Sequence, residues 1–257
     1  MLFDKDFILT EQNVNTYIQE IAEWIKGVLK GANCKGVVLG LSGGVDSSTV
    51  AALCHTANVP TELVLMPYGS NIKNSNSYTH AMELINKFNF SYHVFDIKPA
   101  VDALAVSSNE LDSSKNNLVY ANIRPRVRMT YLYQFAGLNN YLVIGTSNMS
   151  ERVLGYFTKW GDGSCDLNPL GLLTKKEVYI LAKALNIPDS IISKEPSAEL
   201  WEGQTDEKEL GMTYREIDEY ILNGTSGSSE IDSLIESKIL LSKHKIEEIP
   251  IFKETGK

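Results

Sequence analysis

Cysteine is scarce in this 257-residue chain, with three in all. Cys34, Cys54 and Cys165 are an odd set, widely spaced, and no CxxC pair occurs. That excludes a disulfide framework and a cysteine zinc site. Positive charge is also in deficit: 24 Lys and Arg face 32 Asp and Glu, for a formal net charge of −8. Binding a phosphate backbone relies on clustered cations that release counterions, so a nucleic-acid partner is disfavoured. No apolar run approaches the ~20 residues that cross a bilayer. The opening MLFDKDFILTEQ has no basic segment leading into an apolar one. The expectation is a cytoplasmic protein without a membrane partner. Internal repeats are lacking too.

What is present is a chain 43% hydrophobic and 22% charged, enough to bury a core as one large α/β domain over residues 1–257. Between Glu11 and Lys30, apolar residues at Val14, Tyr17, Ile18, Ile21, Ile25, Val28 and Leu29 line one helical face. GVVLGL from Gly36 is a short apolar run of the buried-strand type. TELVLMP from Thr61, SYHVFDI from Ser91 and YLVIGT from Tyr141 read as three further strands. Helical segments alternate with them, including one over 117–135. Such alternation predicts right-handed crossovers and a mainly parallel, doubly wound sheet with helices on both faces. The portion from about 172 reads as helical, over 174–185, 213–222 and 229–244. Two polar segments, Ser107–Asn117 and the EGQTDEKELG stretch from Glu202, read as loops able to act as lids.

Ligands of such sheets bind at the carboxyl ends of the strands. After the first strand comes Ser42-Gly43-Gly44-Val45-Asp46-Ser47-Ser48. Glycines let the backbone approach an anion, and the next helix offers unpaired N–H groups. The Walker pattern is absent, because no lysine follows Gly44, and so is GxGxxG. Asp46 stands instead beside the expected phosphates. An unscreened acid there would repel the ligand; holding Mg²⁺ shared with phosphate oxygens explains it. The plain alternative is a tight turn with Asp46 as an acid at the helix terminus.

SGGxDS resembles the signature of the N-type ATP pyrophosphatases, which cleave ATP between the α and β phosphates. Downstream stand Asn122-Ile123-Arg124-Pro125-Arg126, Gly145-Thr146-Ser147-Asn148-Met149-Ser150-Glu151, the block from Gly155 through Phe157-Thr158-Lys159-Trp160-Gly161-Asp162-Gly163 to Asp166, then Thr174-Lys175 and Lys194-Glu195-Pro196-Ser197. Their order and spacing are similar to bacterial ammonia-dependent NAD synthetases along nearly the whole chain.

The resemblance implies a Rossmann-like sheet of the adenine nucleotide alpha hydrolase type. It also implies amidation of nicotinic acid adenine dinucleotide (deamido-NAD) by ammonia, through an adenylated carboxylate, with AMP and pyrophosphate as products. Gly40, Leu41, Ser42, Gly43, Gly44, Val45, Asp46 and Ser47 would cradle ATP, with Thr146, Lys175 and Ser197 contacting it. Asp46 and Glu151 would hold Mg²⁺, and Asp46 and Lys175 would carry the catalytic roles. Arg126, Lys159, Asp166, His244 and Lys245 would bind the dinucleotide acid, and the active species would be a homodimer.

The chain departs from the family pattern in places. Ser147-Asn148-Met149-Ser150-Glu151 stands where D-H-A-A-E is frequent, SNIKNSNS replaces an acidic stretch after Gly69, Ser197 replaces a threonine, and the aromatic ending is missing. One helix precedes the phosphate loop, so no glutamine-hydrolysing domain is expected, and free ammonia is the expected nitrogen donor unless a separate subunit supplies it. Taken alone, Glu151 reads as a loop acid and Lys175 as a solvated lysine in a first helical turn. Arg124, Arg126 and Arg128 cannot share one helical face. Two other readings stay open: another adenylating enzyme of the superfamily, GMP-forming or tRNA-modifying, and a non-catalytic nucleotide-binding module.

Overall fold

A computed structural model describes residues 5, 7–69, 75–106, 117–197 and 205–252. Most of the first lid candidate (107–116), the start of the second (202–204), residues 70–74 and the last five residues lie outside the described set.

The chain opens with α1 (Val14–Gly31), whose buried Val14, Ile18, Ile21, Ile25 and Leu29 follow the helical spacing of the sequence. Next come β1 (Gly36–Gly40), α2 (Val45–Ala57), β2 (Thr61–Leu65), α3 (Asn76–Phe88), β3 (Tyr92–Val94) and α4 (Lys98–Val106). After the gap follow α5 (Asn117–Ala121), α6 (Ile123–Asn139), β4 (Tyr141–Val143) and α7 (Met149–Leu154). The carboxyl-terminal portion holds α8 (Lys175–Ala184), α9 (Asp189–Ile192), α10 (Asp206–Leu210), α11 (Tyr214–Asn223) and α12 (Ser229–Ile246).

The four strands form one sheet in the order β3-β2-β1-β4, all pairings parallel. β1 pairs on both edges, with β2 and β4, and both of its faces are covered, as its unbroken GVVLG run requires. Val37 and Leu39 face the core under α1, α2 and α8; Val38 faces the core under α4 and α6. Leu39 and Leu53 have no exposure, and a fully buried leucine contributes about 1.5–3 kcal/mol. A third cluster, with Met149, Leu154, Ile217 and Ile235, joins α7 to α10, α11 and α12.

From β1 the chain winds outward to β2 and β3, then returns to place β4 on the other flank of β1. The reversal of direction falls between β1 and β4, and a crevice opens at such a switch point beyond the strand ends.

Two local expectations are corrected. The helix read over 117–135 is two helices, broken at Asn122. Pro125 has no N–H, and its ring crowds the carbonyl four residues back, so α5 ends at Ala121. The stretch after Glu202 is not all loop: its described part contains α10, whose first turn carries Asp206 and Glu207, acids favoured at a helix amino terminus.

Candidate active site

β1 runs into the turn Leu41–Gly44, and α2 begins at Val45. The turn needs glycine at position 43, where φ is +78° and a Cβ would lie 2.1 Å from the Ser77 carbonyl oxygen. Hydroxyls brace the turn. The Ser42 and Ser47 Oγ atoms are 3.0 Å apart, and the Gly44 N–H donates to Ser42 Oγ at 3.2 Å. Gly44 caps α2 without a side-chain hydrogen bond, so no side chain competes for the first amides of that helix. Such a terminus suits an anion.

Asp46 stands in the first turn of α2, Glu151 in the first turn of α7, and Lys175 is the first residue of α8. All three meet in the β1/β4 crevice. Lys175 Nζ donates to Asp46 Oδ2 at 2.7 Å and to Glu151 Oε1 at 3.3 Å. The lysine side chain is 3% exposed, against 18% and 17% for the two acids. Its Nζ also lies 4.8 Å from the centre of the Tyr214 ring. Burial works against the ammonium, but Asp46 and Glu151 outweigh it and hold Lys175 above the ordinary lysine range. Burial pushes the Glu151 carboxyl up, and the Lys175 charge offsets part of that rise.

The two carboxylates therefore converge on one cation. Among the described residues no group of three or more His, Cys, Asp and Glu could hold a metal. Two carboxylates are nonetheless the number Mg²⁺ takes from protein when phosphate and water complete its octahedron. The donor set fits a nucleotide-bound Mg²⁺ and is too small for a free-standing metal site.

Thr146 is half-buried in the turn between β4 and α7, and Ser197 is half-buried beyond α9. A second cluster forms around the segment after α7. Arg126 Nε donates to the Lys159 carbonyl at 3.3 Å. Lys159 Nζ donates to the His244 carbonyl and lies 3.5 Å from His244 Nδ1. Lys245 Nζ donates to the carbonyls of Gly155, at 2.7 Å, and Phe157, at 2.9 Å, tying α12 to the end of α7. Asp166 does not join this cluster. Its Oδ2 accepts the Val143 N–H at 2.7 Å and its Oδ1 accepts from Tyr133 at 3.3 Å, which fixes it beside β4. The three arginines do not share one face, as their helical spacing required: Arg124 and Arg128, one turn apart, both reach the segment after β2, Arg124 stacking 3.9 Å from the Tyr68 ring centre and Arg128 donating to the Met66 carbonyl, while Arg126 turns to Lys159.

Asn148 was not singled out from the sequence as a site residue. Fully buried, it caps α7, accepting the Glu151 N–H at 3.0 Å while its Nδ2 donates to Asp46 Oδ1 at 2.9 Å. One amide thus steadies both acids. The capping-box spacing Asn148-x-x-Glu151 was the signal available for it.

A parallel α/β sheet whose switch-point crevice carries an acid-bearing glycine turn defines a nucleotide-binding protein of the phosphate-loop kind. Residues 17–253 match the family model for NAD synthase. The NH(3)-dependent NAD(+) synthetase of Carboxydothermus hydrogenoformans is 44% identical over 237 residues, covering 91% of this chain and 96% of that protein. That of Wolinella succinogenes is 38% identical over 97% of this chain and 100% of its own length. Among solved structures, NMN synthetase from Francisella tularensis superposes with a TM-score of 0.88 at 35% identity, over 96% of this chain and 100% of that one. NH3-dependent NAD synthetase from Campylobacter jejuni gives a TM-score of 0.78 at 30% identity, over 95% and 100%. The chain belongs to the NAD synthase family, whose members are ligases.

Proposed function

We propose that this enzyme makes NAD by the ATP-dependent amidation of deamido-NAD with free ammonia, releasing AMP and pyrophosphate. The observation that carries the reading is the meeting of Asp46 and Glu151 on one cation at the β1/β4 crevice, beside the glycine turn. A nucleotide-binding module without chemistry has no use for that pair of acids.

In this reading the turn from Gly40 to Ser47 receives the triphosphate on backbone amides and serine hydroxyls, with Thr146 and Ser197 at its margins. Asp46 and Glu151 would hold Mg²⁺, which when bound would neutralise charge on the phosphates. The substrate carboxylate attacks the α phosphorus and pyrophosphate leaves. Lys175, released from its two acids, meets the charge that grows on pyrophosphate. Ammonia then adds to the activated carbonyl carbon, the carbon–oxygen bond to AMP breaks, and a proton is lost. The protein contributes placement and fixed charge, with no covalent enzyme intermediate. Arg126, Lys159, His244 and Lys245 supply cations for the phosphates and carboxylate of the acid, and Asp166 acts on a ribose hydroxyl. A homodimer in the cytoplasm, with α6 at the subunit contact, belongs to the same reading. Among the described residues no helix is long and apolar enough to cross a membrane.

A second substrate deserves an arm of the test, because the Francisella tularensis structure at TM-score 0.88 is that of an NMN synthetase. The amidated acid would then be the mononucleotide. Purified protein is incubated with ATP, Mg²⁺ and ammonium plus either deamido-NAD or nicotinic acid mononucleotide, and amide product and pyrophosphate are followed. NAD and pyrophosphate appearing together only with the dinucleotide is the expected result. NMN formed at the greater kcat/KM replaces the substrate, and pyrophosphate released without any acid overturns the ligase reading. Asp46→Asn is expected to remove product formation while the protein still melts cooperatively, at a lower temperature because the buried Lys175 keeps one acid of its two.

A further inference from the structure

A buried carboxylate that none of these steps uses lies just behind the crevice. Asp218, on α11, is 4% exposed. Its Oδ1 accepts the Ser150 hydroxyl at 2.5 Å, and its Oδ2 accepts the Lys176 N–H at 2.9 Å. Ser150 Oγ in turn accepts the Lys175 N–H at 2.9 Å. Ser150 has no exposure at all. Each partner is the chain neighbour of a crevice residue: Ser150 precedes Glu151, and Lys176 follows Lys175.

The first amides of a helix have no acceptor within it. In α8 the Thr174 side chain accepts from the Glu177 amide, three residues on. The two amides before that one, of Lys175 and Lys176, are answered from other helices, by α7 through Ser150 and by α11 through Asp218. The start of α8 is thereby pinned to the start of α7. Side chains one residue away inherit that spacing, including the 3.3 Å approach of Lys175 Nζ to Glu151 Oε1.

We propose that Asp218 is a positioning residue for the ATP-cleaving step, setting through Ser150 and Lys176 the separation of Glu151 and Lys175. This rests on the reading that Lys175 meets the ATP phosphates. If these bonds only join helices, breaking them costs stability and leaves the turnover of the folded enzyme unchanged. If they also hold a charge in place, turnover falls as well, because a displacement of about 1 Å can lower a rate roughly 100-fold.

The test uses Asp218→Asn, which keeps the side-chain shape but cannot accept from both donors. Turnover is expected to fall by roughly 10- to 100-fold with the KM for ammonia unchanged. Affinity for Mg²⁺ with α,β-methylene ATP, measured by calorimetry, is expected to fall several-fold. In a Lys175→Met background the same substitution should change that affinity by less than about twofold, since a residue acting through Lys175 has nothing left to act on. Equal losses in both backgrounds, or unchanged turnover, overturn the positioning role. Lys175→Met alone with undiminished affinity and rate overturns the reading of Lys175 itself, and is told apart by needing no change at Asp218. If Asp218→Asn does not melt cooperatively, Ser150→Ala carries the comparison, with the same pattern at smaller size.

Discussion

Lys175 is the residue on which the electrostatics of the crevice turn. It is the buried cation between two acids, and its removal leaves Asp46 and Glu151, both largely buried, facing each other without the charge they share. Breaking a buried ion pair from one side costs about 3–5 kcal/mol, because the remaining charges stay desolvated. Lys175→Met is therefore expected to lower stability by that order at pH 8. The deficit should depend on pH. The folded Glu151 carboxyl lies above its unfolded value through burial, so its protonated form favours the fold. That contribution is intact below the unfolded carboxylate value, about 4.3, and is lost as pH rises through the folded one. Lys175 partly counteracts the rise, so losing it pushes Glu151 further up and widens the window. Thermal melts should show the variant much nearer the parent at pH 5 than at pH 8, with Mg²⁺ recovering part of the loss at the higher pH. A deficit independent of pH would mean that Lys175 is held by packing alone.

Among the elements, α7 has only six residues, yet it links the two halves of the site. Its amino end carries Asn148 and Glu151. Its carboxyl end is Gly155, where φ is +61° and a Cβ would stand 2.1 Å from Ser242 Cβ on α12. Asn148 has two separable duties, capping α7 and steadying Asp46. Asn148→Asp keeps the cap, since a carboxylate accepts from the Glu151 amide as well as an amide oxygen does. It cannot donate to Asp46, and it adds a third negative charge to the crevice. The expected outcome is a raised KM for Mg·ATP and a melting temperature lowered at pH 8, where a fully buried carboxylate would face Asp46 unpaired, with recovery toward the parent as the pH falls. Asn148→Ala, which loses both duties, should also lose about 1 kcal/mol of stability. If the aspartate variant keeps parental kinetics, the bond to Asp46 is not part of nucleotide binding.

How much of this was legible in the sequence follows the reach of the interactions. β1, its glycine turn and α2 are contiguous, and an apolar run followed by SGGVDSS is a local pattern. Asp46 could be singled out there by chemistry, because an acid among phosphate-binding glycines calls for a cation. Glu151 and Lys175 had no such pattern and rested on resemblance. The contacts that define them span 24 residues between each other, and 129 separate Lys175 from Asp46. The same distance in sequence hid Asp218, 68 residues from Ser150. Periodicity reports which face of a helix is buried and is silent on which buried polar groups meet.

At the scale of the whole molecule, the fold sets the Asp46–Glu151–Lys175 charges and the second cationic cluster at opposite ends of α7. The crevice cluster lies where β1 and β4 part, and the other lies where α6, α12 and the segment after Gly155 come together. A chain with a net charge of −8 draws anionic substrates only where cations are concentrated, so this second group matters beyond its size. Its members are not equivalent. Lys245 bonds two backbone carbonyls, and replacing it would loosen α12, so a loss of activity there would be ambiguous. Arg126 is exposed and makes one long bond, to the Lys159 carbonyl, so it can be removed with little structural consequence. A surface substitution of this type usually shifts stability by less than about 0.5 kcal/mol. Arg126→Ala should therefore leave the melting temperature and the KM for ATP unchanged and raise the KM for the acid substrate. The rise should shrink with added salt, because screening weakens an exposed charge's pull on phosphate. If Arg126→Ala changes the two KM values equally, the two ends of α7 do not serve separate substrates, and the acid must instead bind against the crevice itself.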